Sequence, residues 1–479
     1  MTEGLKMNKD VYKYSTKKYL HFDKITSFNS KVEKYVYEFE KNPTHSFLPL
    51  IFNEINIEKF RDLKDDPENE NKSRNGRKVP VKEKNRPIMY ASHIDNYIYK
   101  HYGLQLNELY NIYVSEKNFD SSVLAYRTNK HGKNNIHFAA EVINFIAEHP
   151  ISFVYVGDYT GFFDNLDHEY LKRMINRLYC DNRMPDHQFK IYKSLTKYSY
   201  IHKEDINYFV APDKEIYASR KNSYFTSFAD FRRFKKMKSH YFSDGKIVVR
   251  TNNDEKGIPQ GTAISAIYSN IYMLEIDESI SSLVNNYGGI YRRYSDDFII
   301  ILPDISEELF DNLRQEIENN IFDKTKMSIQ KEKTNIMYFD GKVLRRVNAH
   351  TMTKLDYLGF VFDGTNVKMR EKSITKFYRT AYKLIKKGEI VSKQKRHIGD
   401  KMRLTYKRKL YQNYHQLGER TDIKYHYKQR EFGTFITYAR KSQKIFDILS
   451  PMTCNLMSFQ IRNHQKNIQR KIRDAEKNL

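Results

Sequence analysis

Three aspartates in apolar settings are the residues of this sequence best placed to do chemistry. Ser295-Asp296-Asp297 separates two arms, Ile290 to Tyr294 and Phe298 to Leu302, rich in β-branched and aromatic residues. That spacing predicts a β-hairpin with acids at its tip. The second arm is continuously apolar, the mark of a strand covered on both faces. Asp158 closes another apolar run, Ile151 to Gly157, and a carboxylate at that strand's C-terminal end can reach the same point as Asp296. Like charges on rigid backbone repel, and a hard divalent cation, which prefers carboxylate oxygens, relieves the repulsion. An ordinary solvated turn has the same composition, so the hairpin alone does not decide.

Two further sets of residues suit phosphate chemistry. Lys82, Lys84 and Arg86 alternate with Val81, Glu83 and Asn85, and strand alternation puts the three basic groups on one face. Such a face can hold a triphosphate, with Arg86 offering bidentate contacts; a lysine-guarded edge strand reads the same way. Gly257-Ile258-Pro259-Gln260-Gly261 is a glycine-bracketed turn that lets backbone approach a ligand. It opens a helix marked by Ile264, Ile267, Ile271 and Leu274. Phe231 to Lys238 interleaves aromatic and basic residues, which suits either stacking on bases or a solvated helix.

These sets must be positioned by a chain of 479 residues, long enough for two or three domains. Its net charge of +24 points to a polyanionic partner, nucleic acid before membrane. The charge is uneven: residues 371–479 carry 27 Lys and Arg against 9 Asp and Glu, which favours a binding surface. Two cysteines, Cys180 and Cys454, are too few for a disulfide framework or a zinc site and fit a reducing cytosol. With no signal peptide and no apolar run near the length of a membrane span, a soluble cytoplasmic protein without a membrane partner is expected. Helices are predicted over Asp95 to Tyr113, His137 to Ile146, His168 to Leu178 and Ile305 to Ile321. After about residue 370 the periodicity is helical to the end, and Asp62 to Lys78 is polar enough for an exposed loop.

In this order the segments resemble a reverse transcriptase. Asp158-Tyr159-Thr160-Gly161-Phe162-Phe163-Asp164 is similar to the family's first catalytic motif, Gly257 to Gly261 to the second, Tyr294-Ser295-Asp296-Asp297 to the third and Lys333-Thr334 to the fourth. Leu358-Gly359-Phe360 resembles the primer grip and Arg86-Pro87-Ile88 the finger motif, so the resemblance spans roughly residues 76 to 365. Ser295, the Ala125-Tyr126-Arg127 segment and the basic helical tail look most like the bacterial abortive-infection and unknown-group enzymes that act in phage defence.

The resemblance implies an α+β right hand. An N-terminal extension and polar loop (1–75) would precede fingers and palm (76–365), the antiparallel palm sheet having helices on one face, and a basic all-helical thumb-like domain (366–479) would follow. It implies a DNA polymerase using dNTPs and two Mg²⁺ ions, held by Asp158, Asp296, Asp297 and the carbonyl of Tyr159. Arg86, Lys82 and Lys84 would hold the triphosphate, Gln260 would line the nucleotide, and Lys333 would stand where pyrophosphate takes a proton. Tyr126, Arg127, Leu358, Gly359, Lys407, Arg408 and Lys409 would contact nucleic acid. Partners would be an RNA template or non-coding RNA, the DNA product and, by family analogy, a second copy of the chain. An RNA-dependent RNA polymerase shares the palm, but the family places a bulky ring such as Phe163 beneath the sugar, where it excludes a 2′-hydroxyl. Retention of the three aspartates speaks against an inactive palm kept as an RNA-binding scaffold.

Overall fold

A computed structural model describes residues 18–62, 78–210, 222–394, 404–414 and 434–479, with backbone alone for 56–62 and 78–84. Most of the predicted polar loop therefore lies outside the described residues. Strands are numbered in chain order. A six-stranded antiparallel sheet runs β10(Met352–Thr353), β9(Leu344–Arg346), β8(Asn335–Phe339), β3(Ser152–Asp158), β7(Asp297–Pro303), β6(Ile290–Tyr294). β3 pairs over its whole length with β7 and over most of it with β8, which puts Asp158 at the end of a central, fully paired strand.

Side-chain alternation divides this sheet between two cores. Phe153, Tyr155, Phe298, Ile300 and Leu302 face one. Val154, Ile299 and Ile301 face the other. The first core is closed by the helices His93–Glu116, His168–Asn176, Ser265–Tyr272, Leu274–Asn286 and Glu307–Thr325. The second is closed by Asn135–Glu148 and, from far along the chain, Phe435–Leu449. Helices thus cover both faces, not the one expected. Each β7 side chain buried this way contributes about 1.5–3 kcal/mol, which makes β7 a stiff support for the acids at its first turn.

A second sheet, β2-β1-β4-β5, joins β1(Leu50–Asp62) and β2(Lys78–Tyr90) as a long antiparallel pair. β4(Ser199–His202) lies parallel to β1, and β5(Arg250–Thr251) pairs with β4. Part of the N-terminal extension, from residue 18, packs on the first core. Helix Ser30–Lys41 is capped by the Asn29 side chain and buries Val32, Val36 and Phe39 in the first core. The basic and aromatic segment also differs from one of its two readings. In helix Phe228–Phe234, Phe231 and Phe234 are buried in a small core with Phe22 and Ile201, so those rings have no face for a base.

A third sheet links palm to tail. β11(Leu355–Tyr357), β12(Phe360–Phe362) and β13(Asn366–Met369) form a meander, and β14(Cys454–Asn455) adds parallel to β13. Among the described residues the C-terminal region is otherwise mainly helical. Glu371–Gln394, Lys407–Tyr414 and His464–Lys477 share a compact core of Ala381, Ile385, Leu404, Leu410, Ile468 and Ile472. Among the described residues no helix is long and apolar enough to cross a membrane.

Candidate active site

Asp158 and Asp297 stand directly opposite each other across β3 and β7. Asp297 in turn pairs with Tyr294 across β6 and β7, so Ser295 and Asp296 form a two-residue turn at the sheet's end. Ser295 adopts φ 63°, the left-handed conformation that such a tight reversal demands. The turn is tied to β3 by the Tyr159 amide, which donates to the Asp296 carbonyl at 3.3 Å. In extended backbone the Tyr159 carbonyl faces that same side. Gly157 leaves room for the Phe298 ring, since a Cβ there would lie 2.3 Å from the ring's Cζ.

The charges at this point are poorly compensated. Asp158 is buried, its Oδ2 accepts from the Lys333 ammonium, and its Oδ1 is buried without a hydrogen-bond partner. Asp297 is exposed at the strand's first position. Partial desolvation, then the charges of Asp296 and Asp158, push its carboxyl up to about 6. Among the described residues no three His, Cys, Asp or Glu side chains converge closely enough to hold a metal ion. The backbone brings the three acids to one place, while Lys333 draws the Asp158 carboxylate to itself. An orphaned carboxylate oxygen beside two further acids is a donor set that suits a hard cation.

Around the acids lie the other motifs. The Gly257–Gly261 loop docks on the segment after Asp158: the Gly257 and Ile258 amides donate to the Leu166 and Phe163 carbonyls at 2.9 and 3.0 Å. Gly257 and Gly261 have φ of 88° and 119°. At Gly261 a Cβ would lie 2.7 Å from the Met89 carbonyl oxygen. The Met89 amide donates to the Gln260 carbonyl at 2.8 Å, which fixes β2 and its exposed Arg86 against the loop. Lys82 and Lys84 lie on β2, and their side chains are outside the described residues. Phe163 is half-buried against the first core, edge-on to Phe162.

The model of the reverse transcriptase (RNA-dependent DNA polymerase) family matches residues 77–362, more than half of the chain and all of these motifs. The chain belongs to the reverse transcriptase family. No curated protein matches it. Among solved structures it is similar to apo telomerase from Candida tropicalis, truncated of its C-terminal domain, at 12% identity and a TM-score of 0.39, covering 71% of this chain and 60% of that one. It is also similar to telomerase from Candida albicans in complex with a TWJ fragment of telomeric RNA, at 13% identity and a TM-score of 0.38, covering 93% of this chain and 62% of that one. The chain therefore spans about three fifths of these telomerase chains.

The remaining candidate residues differ in what surrounds them. Tyr126 is exposed, has φ 61° and donates its hydroxyl to Ser295 Oγ at 3.2 Å, which places it over the acid turn. Leu358 and Gly359, with φ 45° and 96°, form the β11–β12 turn. They line a cleft of about 540 Å³ with Lys376, Phe377, Tyr414 and Tyr438 of the C-terminal helices. Arg127 corrects an expectation: its side chain is fully buried, bonded to Asp120, Asn111 and the Val123 carbonyl, and lies over the Tyr110 ring. With that side chain wholly out of solvent and bonded within the fold, a phosphate does not reach it. In the tail Lys407 pairs with Glu476 at 2.8 Å, whereas Arg408 and Lys409 are exposed.

Reading the sequence alone missed Arg293, Asp277 and Asn270, which are buried directly behind the acid turn. One signal was present. In β6, Tyr291 and Arg293 share the inward face by alternation, and an inward arginine on a strand requires a buried acid.

Proposed function

We propose that this chain is a Mg²⁺-dependent reverse transcriptase that makes DNA from dNTPs and serves in phage defence in the bacterial cytoplasm, copying a non-coding RNA or extending a protein hydroxyl without a template. The observation that carries the catalytic part is the buried, unpartnered Asp158 Oδ1 opposite Asp297 at the end of the central strand pair. Asp158, Asp296, Asp297 and the Tyr159 carbonyl would hold two Mg²⁺ ions, which when bound activate a primer hydroxyl and neutralise charge on the leaving pyrophosphate. Lys333 bonds the Asp158 carboxylate, and its ammonium would stand where pyrophosphate takes a proton. Arg86, with Lys82 and Lys84, would bind the triphosphate beside Gln260, since β2 is joined to the Gly257–Gly261 loop. Phe163 would lie under the incoming sugar and reject ribose.

The defence assignment draws on Ser295, the Ala125-Tyr126-Arg127 segment and the basic tail. Two measurements test the proposal: incorporation of dNTPs with Mg²⁺ on an RNA template and without one, and sequencing of nucleic acid that copurifies. DNA synthesis in either assay supports the polymerase, and absence of synthesis in both overturns it. Wild-type phage sensitivity in bacteria expressing an active enzyme would overturn the defence role alone.

A further inference from the structure

The group that fixes the acid turn is a buried cation. Arg293 is fully buried on β6. Its Nε and Nη2 donate to the two carboxylate oxygens of Asp277 at 2.8 and 2.6 Å, a bidentate fork. Its Nη1 donates to the Ser295 carbonyl at 2.9 Å and to Asn270 Oδ1 at 3.2 Å. Asp277, also fully buried, accepts from the Tyr291 hydroxyl at 2.7 Å. Asn270 donates to the Ala125 carbonyl at 2.9 Å, next to Tyr126, whose hydroxyl reaches Ser295 Oγ.

Physical chemistry separates two uses for such a pair. For stability alone, a buried ion pair is poorly chosen, because apolar side chains of similar volume usually serve as well or better. This pair reaches past its partner to a turn carbonyl, at a serine in a left-handed conformation costing about 1–2 kcal/mol. With the Arg293 bond on the Ser295 carbonyl and the Tyr159 bond on the Asp296 carbonyl, the backbone is tied on both sides of Asp296.

We propose that Arg293, oriented by Asp277 and Asn270, is a positioning residue that holds the Ser295 turn so that the backbone of Asp296 and Asp297 stays beside Asp158, where the three carboxylates can be drawn onto a cation. The inference rests on the proposed function for its kinetic consequence and on cation binding alone for its second readout. Lysine offers one nitrogen where Arg293 uses three, so R293K keeps the charge and loses the bidentate fork.

The test compares wild type, R293K and the double variant Arg293→Met/Asp277→Leu, which replaces the pair by apolar volume. Melting temperature, kcat and KM for dNTPs, and Mn²⁺ binding by electron paramagnetic resonance are measured for each. The expected result is a kcat about 100-fold lower in both variants, with KM within about two-fold and Mn²⁺ affinity about 10-fold weaker. The double variant should meanwhile melt near wild type. A double variant that melts, binds Mn²⁺ and turns over like wild type shows that the pair only fills the core and overturns the proposal. R293K with wild-type kcat and Mn²⁺ affinity overturns it independently, and decides alone where the double variant does not fold. A wild type that binds Mn²⁺ but incorporates no dNTP refutes the proposed function instead, and the Mn²⁺ comparison still decides the role of Arg293.

Discussion

The palm sheet and the C-terminal helices use charge in opposite ways. Behind the acid turn a single ion pair, Arg293–Asp277, has both side chains wholly buried. In the tail the pairs Lys407–Glu476 and Lys393–Glu389 leave their lysines 43% and 51% exposed. Exposed pairs of that kind contribute about 0.2–1 kcal/mol and weaken with salt, so the tail keeps its charge at the surface, Arg408 and Lys409 included. The buried fork cannot be screened and cannot bind anything else; it fixes backbone. One region converts charge into geometry and the other keeps charge as a surface, and each use can be broken separately.

The largest expected effect lies at the acids. Asp158→Ala or Asp296→Ala should reduce dNTP incorporation on the order of 1,000-fold or more, by loss of a cation ligand worth several kcal/mol. Melting temperature should change little, because removing one carboxylate also relieves repulsion. Full activity in either variant would remove the site from the acid turn altogether.

Next comes Phe163, half-buried against the palm core and proposed to lie under the incoming sugar. Phe163→Ala should admit rNTPs, shifting the ratio of kcat/KM for dNTP over rNTP by about 100-fold. An unchanged ratio would make Phe163 a core aromatic only.

Acid sharpens the comparison by acting on buried groups. His101 is buried in helix His93–Glu116, and burial, then the neighbouring His187, push its imidazole down to about 4. Below about 6.5 the unfolded chain takes up a proton that the folded chain refuses, so stability falls as pH drops from about 6.5 towards 4. For His101 alone the loss reaches roughly 2 kcal/mol by pH 5. Denaturant melts of wild type and His101→Gln at pH 7 and pH 5 should show a smaller pH dependence in the variant. Equal dependence would mean that His101 is protonated as readily in the folded chain as in the unfolded one.

The smallest effect is expected in the tail. Neutralising Lys407, Arg408 and Lys409 together to Gln should flatten the salt dependence of nucleic-acid binding by about two units of log–log slope, with similar losses across unrelated sequences. Lys407 should add little, since Glu476 already holds it. An unchanged slope would turn that helix face towards solvent or a protein.

Much of the catalytic side was legible before any coordinate. A continuously apolar Phe298 to Leu302 requires cover on both faces, and the sheet provides it from two separate cores. The run Ile151 to Gly157 is a strand with Asp158 at its end, and the Gly257 to Gly261 turn does carry two positive φ values. These are local matters: alternation, turn chemistry and the absence of a Cβ act within a few residues, so a single stretch of sequence states them.

What the sequence could not state is who meets whom at long range. An arginine looks alike whether it awaits a phosphate or is consumed by the fold: Arg127, in a segment that implies a nucleic-acid contact, is locked to Asp120, while Arg293, in no motif's polar position, bonds the Ser295 carbonyl. Phe231 and Phe234, spaced as if to stack on bases, close a small core with residues far away in the chain. β14 joins the third sheet from beyond residue 450, and helix Phe435–Leu449 covers the palm's second face. By itself the sequence determined the strands, the turns and the order of the motifs, because those follow from periodicity and backbone freedom. Only tertiary structure decided which charges are buried, since the cost of burying a charge depends on a partner that periodicity does not encode.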